Sequence, residues 1–522
     1  VKRRALLHTI ALSVAGSIAL HFERASAEDR ARAADFDPTE LDIGALQERL
    51  SQGMTSAALV TAYLARIARF DRQGPSFRSV IAVNPAALDA ARRLDAERRS
   101  GPLRGPLHGI PILLKDNIET LDPLPTTAGS LALAKAFHQA DAPLVARLRK
   151  AGAIVLGKAN LSEWANFRST HSSSGWSAVG GQTGNAYDPA RTPSGSSSGS
   201  ATATALSFCA AAIGTETDGS ILSPAAMAGL VGFKPTLGAV SNEGIVPLSP
   251  RQDVAGPMTR SVADALAVAS VIYERPRRQE SLTTSVGNSP GKPRVGIAPP
   301  GDSMRAATKN LYLAAIDVWR RSGAEVIDAP LPRAFREVGA SEFTALLYEF
   351  KSAIDAYLGA LAPQQTAVRS LTELIEFNRR NADRELHRFG QEIFEMAVTK
   401  GPLTDKPYLD AVAELNKRVD AEGLDQLFRS LRVDVLVAPG AGPPGLSDPI
   451  LGDRNDTGGS GLGSAAAIAG YPSLTLPIGL IKDLPMGMTL VAPRHAEDRL
   501  LRIASSFVRT RNLRVPPPLV RR

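Results

Sequence analysis

The sequence predicts an α/β fold, with strands and helices alternating along the chain and packing in layers. Three observations predict it. Short apolar runs, such as residues 110–114 and 153–156, alternate with stretches whose apolar residues recur at helical spacing. Hydrophobic residues make up 44% of the chain and charged residues 21%, values of a globular protein that exclude a disordered one. At 522 residues the chain exceeds what one small core can organise, so it forms either one large layered domain or several smaller ones.

The first 27 residues stand apart from the fold. Lys2-Arg3-Arg4 is a basic start, residues 5–20 carry no acidic or basic side chain other than His8, and Ala25-Ser26-Ala27 offers small residues around a cleavage point before Glu28-Asp29. These are the three parts of a secretory signal peptide. The apolar run is shorter than the ~20 residues needed to span a bilayer. Arg3-Arg4-Ala5-Leu6-Leu7 also fits a twin-arginine signal. The expectation is an exported protein, periplasmic or secreted, with residues 28–522 as the mature chain and no stable membrane insertion.

Within the mature chain, residues 28–40 are polar and read as an extended lead-in. Thr55 opens a helix with Leu59, Val60, Tyr63, Leu64 and Ile67 on its apolar side. Asn84-Pro85 reads as the cap and first turn of a second helix ending at Gly101-Pro102. Residues 110–114 form a buried strand ending on Lys115, Asp141 caps a helix through Lys150, and residues 153–156 are the next strand. From 161 to 200 Gly, Ser, Thr and Asn dominate without periodicity. A loop that long in a compact protein serves function or is disordered, and Trp164, Phe167 and Trp176 argue for order. A small-residue helix is expected over 201–213 and a turn over 215–223. Residues 274–292, rich in Pro, Arg and Ser, read as a linker or surface excursion. Strands follow at 294–298, 325–328, 433–438, 473–478 and 488–491, separated by helical patterns at 336–361 and 368–399.

Composition excludes several functions. One cysteine, Cys209, rules out a disulfide framework and a Cys-rich zinc site, and it reads as a buried core thiol. Seven histidines are scattered without HExxH or HxH spacing, so no metal site is expected. The net charge of +8 falls to +5 without the basic leader, and basic residues are not interleaved with aromatics, so nucleic-acid binding is not expected.

The chemistry concentrates in three segments. Gly195-Ser196-Ser197-Ser198-Gly199 matches G-x-S-x-G, yet the preceding residues 185–193, with Pro189 and Pro193, cannot form the central strand a nucleophile elbow needs. No Gly-Lys-Ser/Thr follows to make a phosphate loop. The other two segments are Gly105-Pro106-Leu107-His108-Gly109-Ile110-Pro111-Ile112-Leu113-Leu114-Lys115-Asp116-Asn117 and Gly214-Thr215-Glu216-Thr217-Asp218-Gly219-Ser220-Ile221. With Gly229-Leu230-Val231-Gly232-Phe233-Lys234-Pro235-Thr236 and Gly470-Tyr471-Pro472-Ser473, they resemble the amidase signature family of serine hydrolases over residues 35–512. Within that family, residues 214–220 and 256–264 look most like the peptide amidase branch.

The resemblance implies the amidase signature fold, a single domain whose mixed sheet is sandwiched between helices. It also implies a Ser-Ser-Lys triad without cofactor or metal. Lys115 matches the base, Ser196 the bridging serine that the family holds on a cis peptide bond, and Ser220 the nucleophile. A serine hydroxyl attacks poorly until a base takes its proton. A lysine can serve only when neutral, so burial must bring its pKa from about 10.4 toward 7–8, and Leu113 and Leu114 supply an apolar setting. The backbone of Thr217, Asp218 and Gly219 matches the oxyanion hole. Asp218 departs from the family's usual glycine, as do Ser194 and Ser198; its carboxylate either points away or receives the amine end of a substrate. Ser197 reads as a hydrogen-bonding support, and Trp176 as either a channel wall or plain packing. The implied activity is hydrolysis of carboxamide C–N bonds through an acyl-enzyme on Ser220, on C-terminal peptide amides or related linear amides. The alternatives are a glutaminase-type subunit of an amidotransferase and a non-catalytic binding protein on the same scaffold.

Overall fold

The computed structural model describes residues 15–274, 292–301, 304–448, 452–453 and 460–521. One mixed sheet organises it. The strands are β1 (Val80–Val83), β2 (Pro111–Lys115), β3 (Ile154–Ala159), β6 (Ala211–Glu216), β7 (Val231–Lys234), β8 (Val254–Thr259), β9 (Arg294–Ile297), β10 (Glu325–Asp328), β11 (Val435–Pro439), β12 (Ser473–Ile481) and β13 (Leu484–Val491). They lie in the order β1-β3-β2-β6-β8-β7-β12-β13-β11-β9-β10. The pairs β2–β3, β2–β6, β9–β10 and β9–β11 are parallel, and the other neighbours are antiparallel. A separate two-stranded ribbon joins β4 (Trp176–Ser177) to β5 (Gly181–Gln182).

Strands β2, β3, β6, β7, β8 and β11 are buried at every position, as strands covered on both faces must be. Helices Pro143–Lys150, Val262–Ile272, Glu497–Thr510 and Ala306–Arg321 pack successively against one another. Helices Ser198–Ala205 and Leu222–Met227 form a second set resting on the middle strands. Ser198–Ala205 has no polar stripe, because every one of its residues is buried. Its small side chains, Ser-Gly-Ser-Ala-Thr-Ala-Thr-Ala, let its backbone lie close to β2, β3 and β6.

Between β10 and β11 the chain leaves the sheet for a helical insertion. It includes helices Gly339–Ala360, Leu371–Arg380, Glu392–Val398 and Lys406–Leu415. Its apolar residues share their cores with the rest of the chain. Leu346, Phe350, Ile354, Leu371, Leu374 and Phe394 pack with Trp164 and Phe167 of the loop after β3.

Several sequence expectations change. Residues 28–40 are not extended throughout: helix Ala27–Ala34 forms there, because Ser26 caps the N–H of Asp29 at 3.0 Å and Glu28 and Asp29 occupy its first turn. The cap at Asn84 is an Asx turn to the N–H of Ala86 (2.9 Å), and the helix begins only at Ala87. Asp141 does not cap its helix; its carboxylate accepts from the Leu121 N–H and pairs with Arg149. The helix expected over 201–213 stops at Ala205, Ser207 takes a left-handed conformation, and β6 starts at Ala211. The pattern at 368–399 divides into Leu371–Arg380, Ala382–Glu385 and Glu392–Val398, broken at Asn381 and again before Gly390.

Of the predicted leader, residues 1–14 lie outside the described residues; residues 15–24 are helical, and Ile18 and Ala25 are buried against the body. The linker expected at 274–292 falls almost wholly outside the described residues. No described helix is long and apolar enough to cross a membrane.

The tightest backbone approach in the sheet is at Gly256 of β8, where an added Cβ would sit 2.0 Å from the Phe233 carbonyl oxygen and 3.0 Å from Pro235 Cδ. Neither can swing aside, so Gly256→Ala is expected to cost ~1–3 kcal/mol by overpacking. Thermal unfolding of purified variant and wild type checks this, and equal midpoints would refute it.

Candidate active site

The parallel pairing of β2 with β6 sets Leu114 opposite Ile213, so Lys115, the last residue of β2, lies beside the C-terminal end of β6, where Thr215 still pairs with Ala255 of β8. The Lys115 side chain is fully buried. Its Nζ lies 2.7 Å from Ser196 Oγ, 2.8 Å from Thr215 Oγ1 and 3.2 Å from the Thr215 carbonyl. Burial pushes its pKa down to about 7, against the upward pull of the Asp253 and Glu216 charges. Nζ donates to all three oxygens, none of which carries a charge.

Ser196 follows a cis Gly195–Ser196 peptide bond and is fully buried in the turn entering helix Ser198–Ala205. Ser197 braces the two halves of the site. Its hydroxyl donates to the Thr215 carbonyl (3.1 Å) and accepts the Thr215 N–H (3.2 Å), while its own N–H donates to the Ser220 carbonyl (3.2 Å). That last bond sets Ser220 next to the Ser196–Ser197 turn. Lys115, Ser196 and Ser220, separated in sequence, thus come together at one end of β2 and β6.

The turn 217–219, where the resemblance places the oxyanion hole, links the end of β6 to Ser220. Gly219 has φ +74°, a left-handed conformation natural to glycine, and a Cβ there would meet nothing within 4 Å. Glu216 organises the turn from beneath. Its carboxylate accepts the N–H groups of Ile221 (2.6 Å) and Leu222 (2.9 Å). Burial raises the Glu216 pKa, and buried Lys234 opposes the shift.

Asp218 answers part of the question its sequence raised. It borders a cavity of about 450 Å³ together with Gly219, Ser194, Ser223, Asp453 and Ser464, so it faces the open side of the turn. Burial pushes its pKa up to about 6, the neighbouring Glu216 charge adds to this, and a hydrogen bond from Ser464 opposes it. Ser194 joins the Ser223 hydroxyl at 2.8 Å on the cavity wall.

Trp176 packs rather than lining this cavity. It meets Phe389 and His387 edge-on at 5.1 and 5.3 Å, and Arg168 lies over it. Arg168 is itself fully buried, bonded to Glu163 at 2.5 Å and 3.5 Å from Glu385, and it fastens the loop after β3 to the helical insertion. Cys209 is buried, and burial pushes its thiol up to about 11, which leaves it unreactive. Among the described residues no group of three or more His, Cys, Asp or Glu could hold a metal ion. Sequence reading missed Thr215, Glu216, Gln252 and Asp253 as supports. Only Thr215 and Glu216 had a visible signal, inside the segment that carries Ser220.

Fold and site together define an amide-hydrolysing enzyme of the α/β class, a mixed sheet flanked by helices with a buried lysine and serine at its strand ends. The chain belongs to the Amidase family, whose model matches residues 58–501. It is similar to the native peptide amidase from Stenotrophomonas maltophilia: 43% identity, TM-score 0.84, covering 92% of this chain and 98% of that one. An amidase family protein from Bacillus anthracis str. Ames superposes with TM-score 0.84 at 30% identity, covering 97% of this chain and 98% of that one. A glutamyl-tRNA(Gln) amidotransferase subunit of Salinispora arenicola is 32% identical over 92% of this chain and all of its own length.

The buried lysine leaves a thermodynamic signature. Its folded-state pKa is about 7, against an ordinary value of 10.5, so between those values the unfolded chain binds more protons and stability rises with pH. The stability difference between wild type and Lys115→Met is therefore expected to move in favour of wild type as pH rises from 7 to 10. Denaturation series at several pH values measure it, and a pH-independent difference would show that Lys115 is not held near neutrality.

Proposed function

We propose that this protein is a serine amidase that hydrolyses carboxamide C–N bonds, with C-terminally amidated peptides or related linear amides as substrates. The observation that carries the reading is Lys115 Nζ at 2.7 Å from Ser196 Oγ, with the amine fully buried and its pKa near neutrality. The similarity to the Stenotrophomonas maltophilia peptide amidase, higher than to the amidotransferase chain, supports the peptide-amide substrate class.

In this reading Ser220 Oγ attacks the amide carbonyl while its proton passes to Ser196, and the Ser196 proton to Lys115 Nζ. Negative charge then gathers on the carbonyl oxygen, against the N–H groups of the 217–219 turn. Collapse breaks the C–N bond, and the proton on Lys115 returns through Ser196 to the departing nitrogen. The acyl-enzyme ester on Ser220 is cleaved by water along the same relay, giving a carboxylic acid and regenerating the serine. Ammonia or an amine is the other product.

Ammonia release from an N-blocked dipeptide amide tests this directly. Ser220→Ala is expected to lose at least ~10³-fold in kcat with its fold intact, and retained activity would overturn the assignment. For wild type, kcat/KM is expected to rise with pH through an apparent pKa near 7 as Lys115 loses its proton. A profile flat from pH 6 to 8 would remove Lys115 as the base.

We further propose export, supported by the basic, apolar and small-residue parts of residues 1–27. Expression of the full chain in a Gram-negative host, followed by N-terminal sequencing of the periplasmic fraction, should find Glu28 first. Intact chain confined to the cytosol would refute it.

A further inference from the structure

The antiparallel ladder of β6 and β8 ends at the pair Glu216–Val254. Thr217 and Asp253 are the next residues to face each other, just where the ladder stops and the turn leading to Ser220 begins. Side chains take over the fastening there. Thr217 Oγ1 donates to Asp253 Oδ1 at 2.6 Å, and Gln252 Nε2 donates to the Thr217 carbonyl at 3.2 Å. Thr217 is thus gripped from both side chain and backbone by two consecutive residues.

The grip is itself anchored. Asp253 Oδ2 accepts the N–H groups of Leu248 and Ser249 at 2.8 and 2.9 Å, and the Asp253 carbonyl accepts from Asn242 Nδ2 at 2.6 Å. Gln252 Nε2 also donates to Glu342 Oε1 at 2.9 Å, and the Ser249 hydroxyl bonds to Glu349. Both glutamates belong to helix Gly339–Ala360, and Tyr408 of helix Lys406–Leu415 donates to Glu349 at 2.9 Å. Thr217, Gln252 and Asp253 are each more than nine-tenths buried, so water does not loosen these bonds.

We propose that Gln252 and Asp253 are positioning residues of the hydrolysis: a clasp that holds the 217–219 turn, and with it Ser220, in the geometry the transition state requires. The proposal rests on the reading of Ser220 as nucleophile. Donors to a developing oxyanion act only once that charge forms, so a slack turn lowers kcat and leaves KM nearly unchanged. A misplacement of about 1 Å costs on the order of 10²-fold. Asp253 also has an electrostatic part: its charge and that of Glu216, at the end of β6, face Lys115 and raise its proton affinity.

The test uses the full chain and the variants Thr217→Val, Thr217→Ser, Gln252→Ala and Asp253→Asn. Two rates are measured: hydrolysis of a dipeptide amide, and phosphonylation of Ser220 by a fluorophosphonate, which loses fluoride and is read by intact mass. Thr217→Val and Asp253→Asn are expected to lose ~10²-fold in both rates with KM within about threefold, and Thr217→Ser to recover at least about tenfold of the valine loss. Asp253→Asn should also shift the acid limb of kcat/KM to lower pH, because the charge raising the proton affinity of Lys115 is gone. Variants that melt like wild type and label Ser220 at its rate would overturn the clasp, as would equal losses in the valine and serine variants. Wild type that labels at Ser220 but releases no ammonia would refute the amide substrates alone, the labelling rates still deciding the clasp. Wild type that fails to label at Ser220 would overturn both.

Discussion

Taking the amine of Lys115 out of water shapes the centre of this molecule. An ammonium in that position would need a full counter-charge in contact, and its direct partners are instead the neutral oxygens of Ser196 and Thr215. Each partner demands something of the chain. The bond to Thr215 requires β6 to run parallel to β2 in the observed register. The bond to Ser196 requires the glycine- and serine-rich turn to reach under the sheet, which a helix of small residues, Ser198–Ala205, makes room for. Ser197 then ties that turn to both Thr215 and Ser220, so three remote segments share one set of bonds.

The acids around this centre follow the same rule. Burial raises the pKa of Glu216, and pushes Asp218 and Asp253 to about 6 and Glu342 to about 8. The charge of Asp218 adds to the effect of burial in raising Glu342, so the two carboxyls resist ionising together. The remaining carboxylates are spent on backbone N–H groups: Glu216 on Ile221 and Leu222, Asp253 on Leu248 and Ser249. Their charge is spread over the donors that fix the turns.

The sequence made some of this legible. β9, β10, β11 and β12 were readable because Val, Ile and Leu cluster in short runs bounded by turn residues. β7 and β8 were not recognisable as strands, since Gly232, Gly256 and Pro257 weaken the pattern; at Gly256 the missing side chain is what lets the strand approach the Phe233 carbonyl. The stretch 201–213 reads as uniform small apolar residues, which cannot reveal where Ser207 turns helix into strand. Lys115, Ser196 and Ser220 were visible because each sits in a local motif. Asp253, Gln252 and Glu342 were not, because their meaning lies in contacts with residues far away in the chain, and no single segment carries a signal of that.

The helical insertion between β10 and β11 shares its apolar cores with the loop after β3 and with β11 and β13, and polar bonds add to that packing, among them the Arg168 pair with Glu163 and Glu385 and the bonds of Ser249 and Gln252 to its first long helix. Strands β2, β3, β6, β7, β8 and β11 are buried along their whole length, whereas the helices of the insertion each carry exposed residues. Mutation is therefore tolerated unequally across the molecule. The outer faces of the insertion's helices can drift while the buried strand ends stay fixed, so descendants of this chain would diverge first on that surface and last at the strand ends.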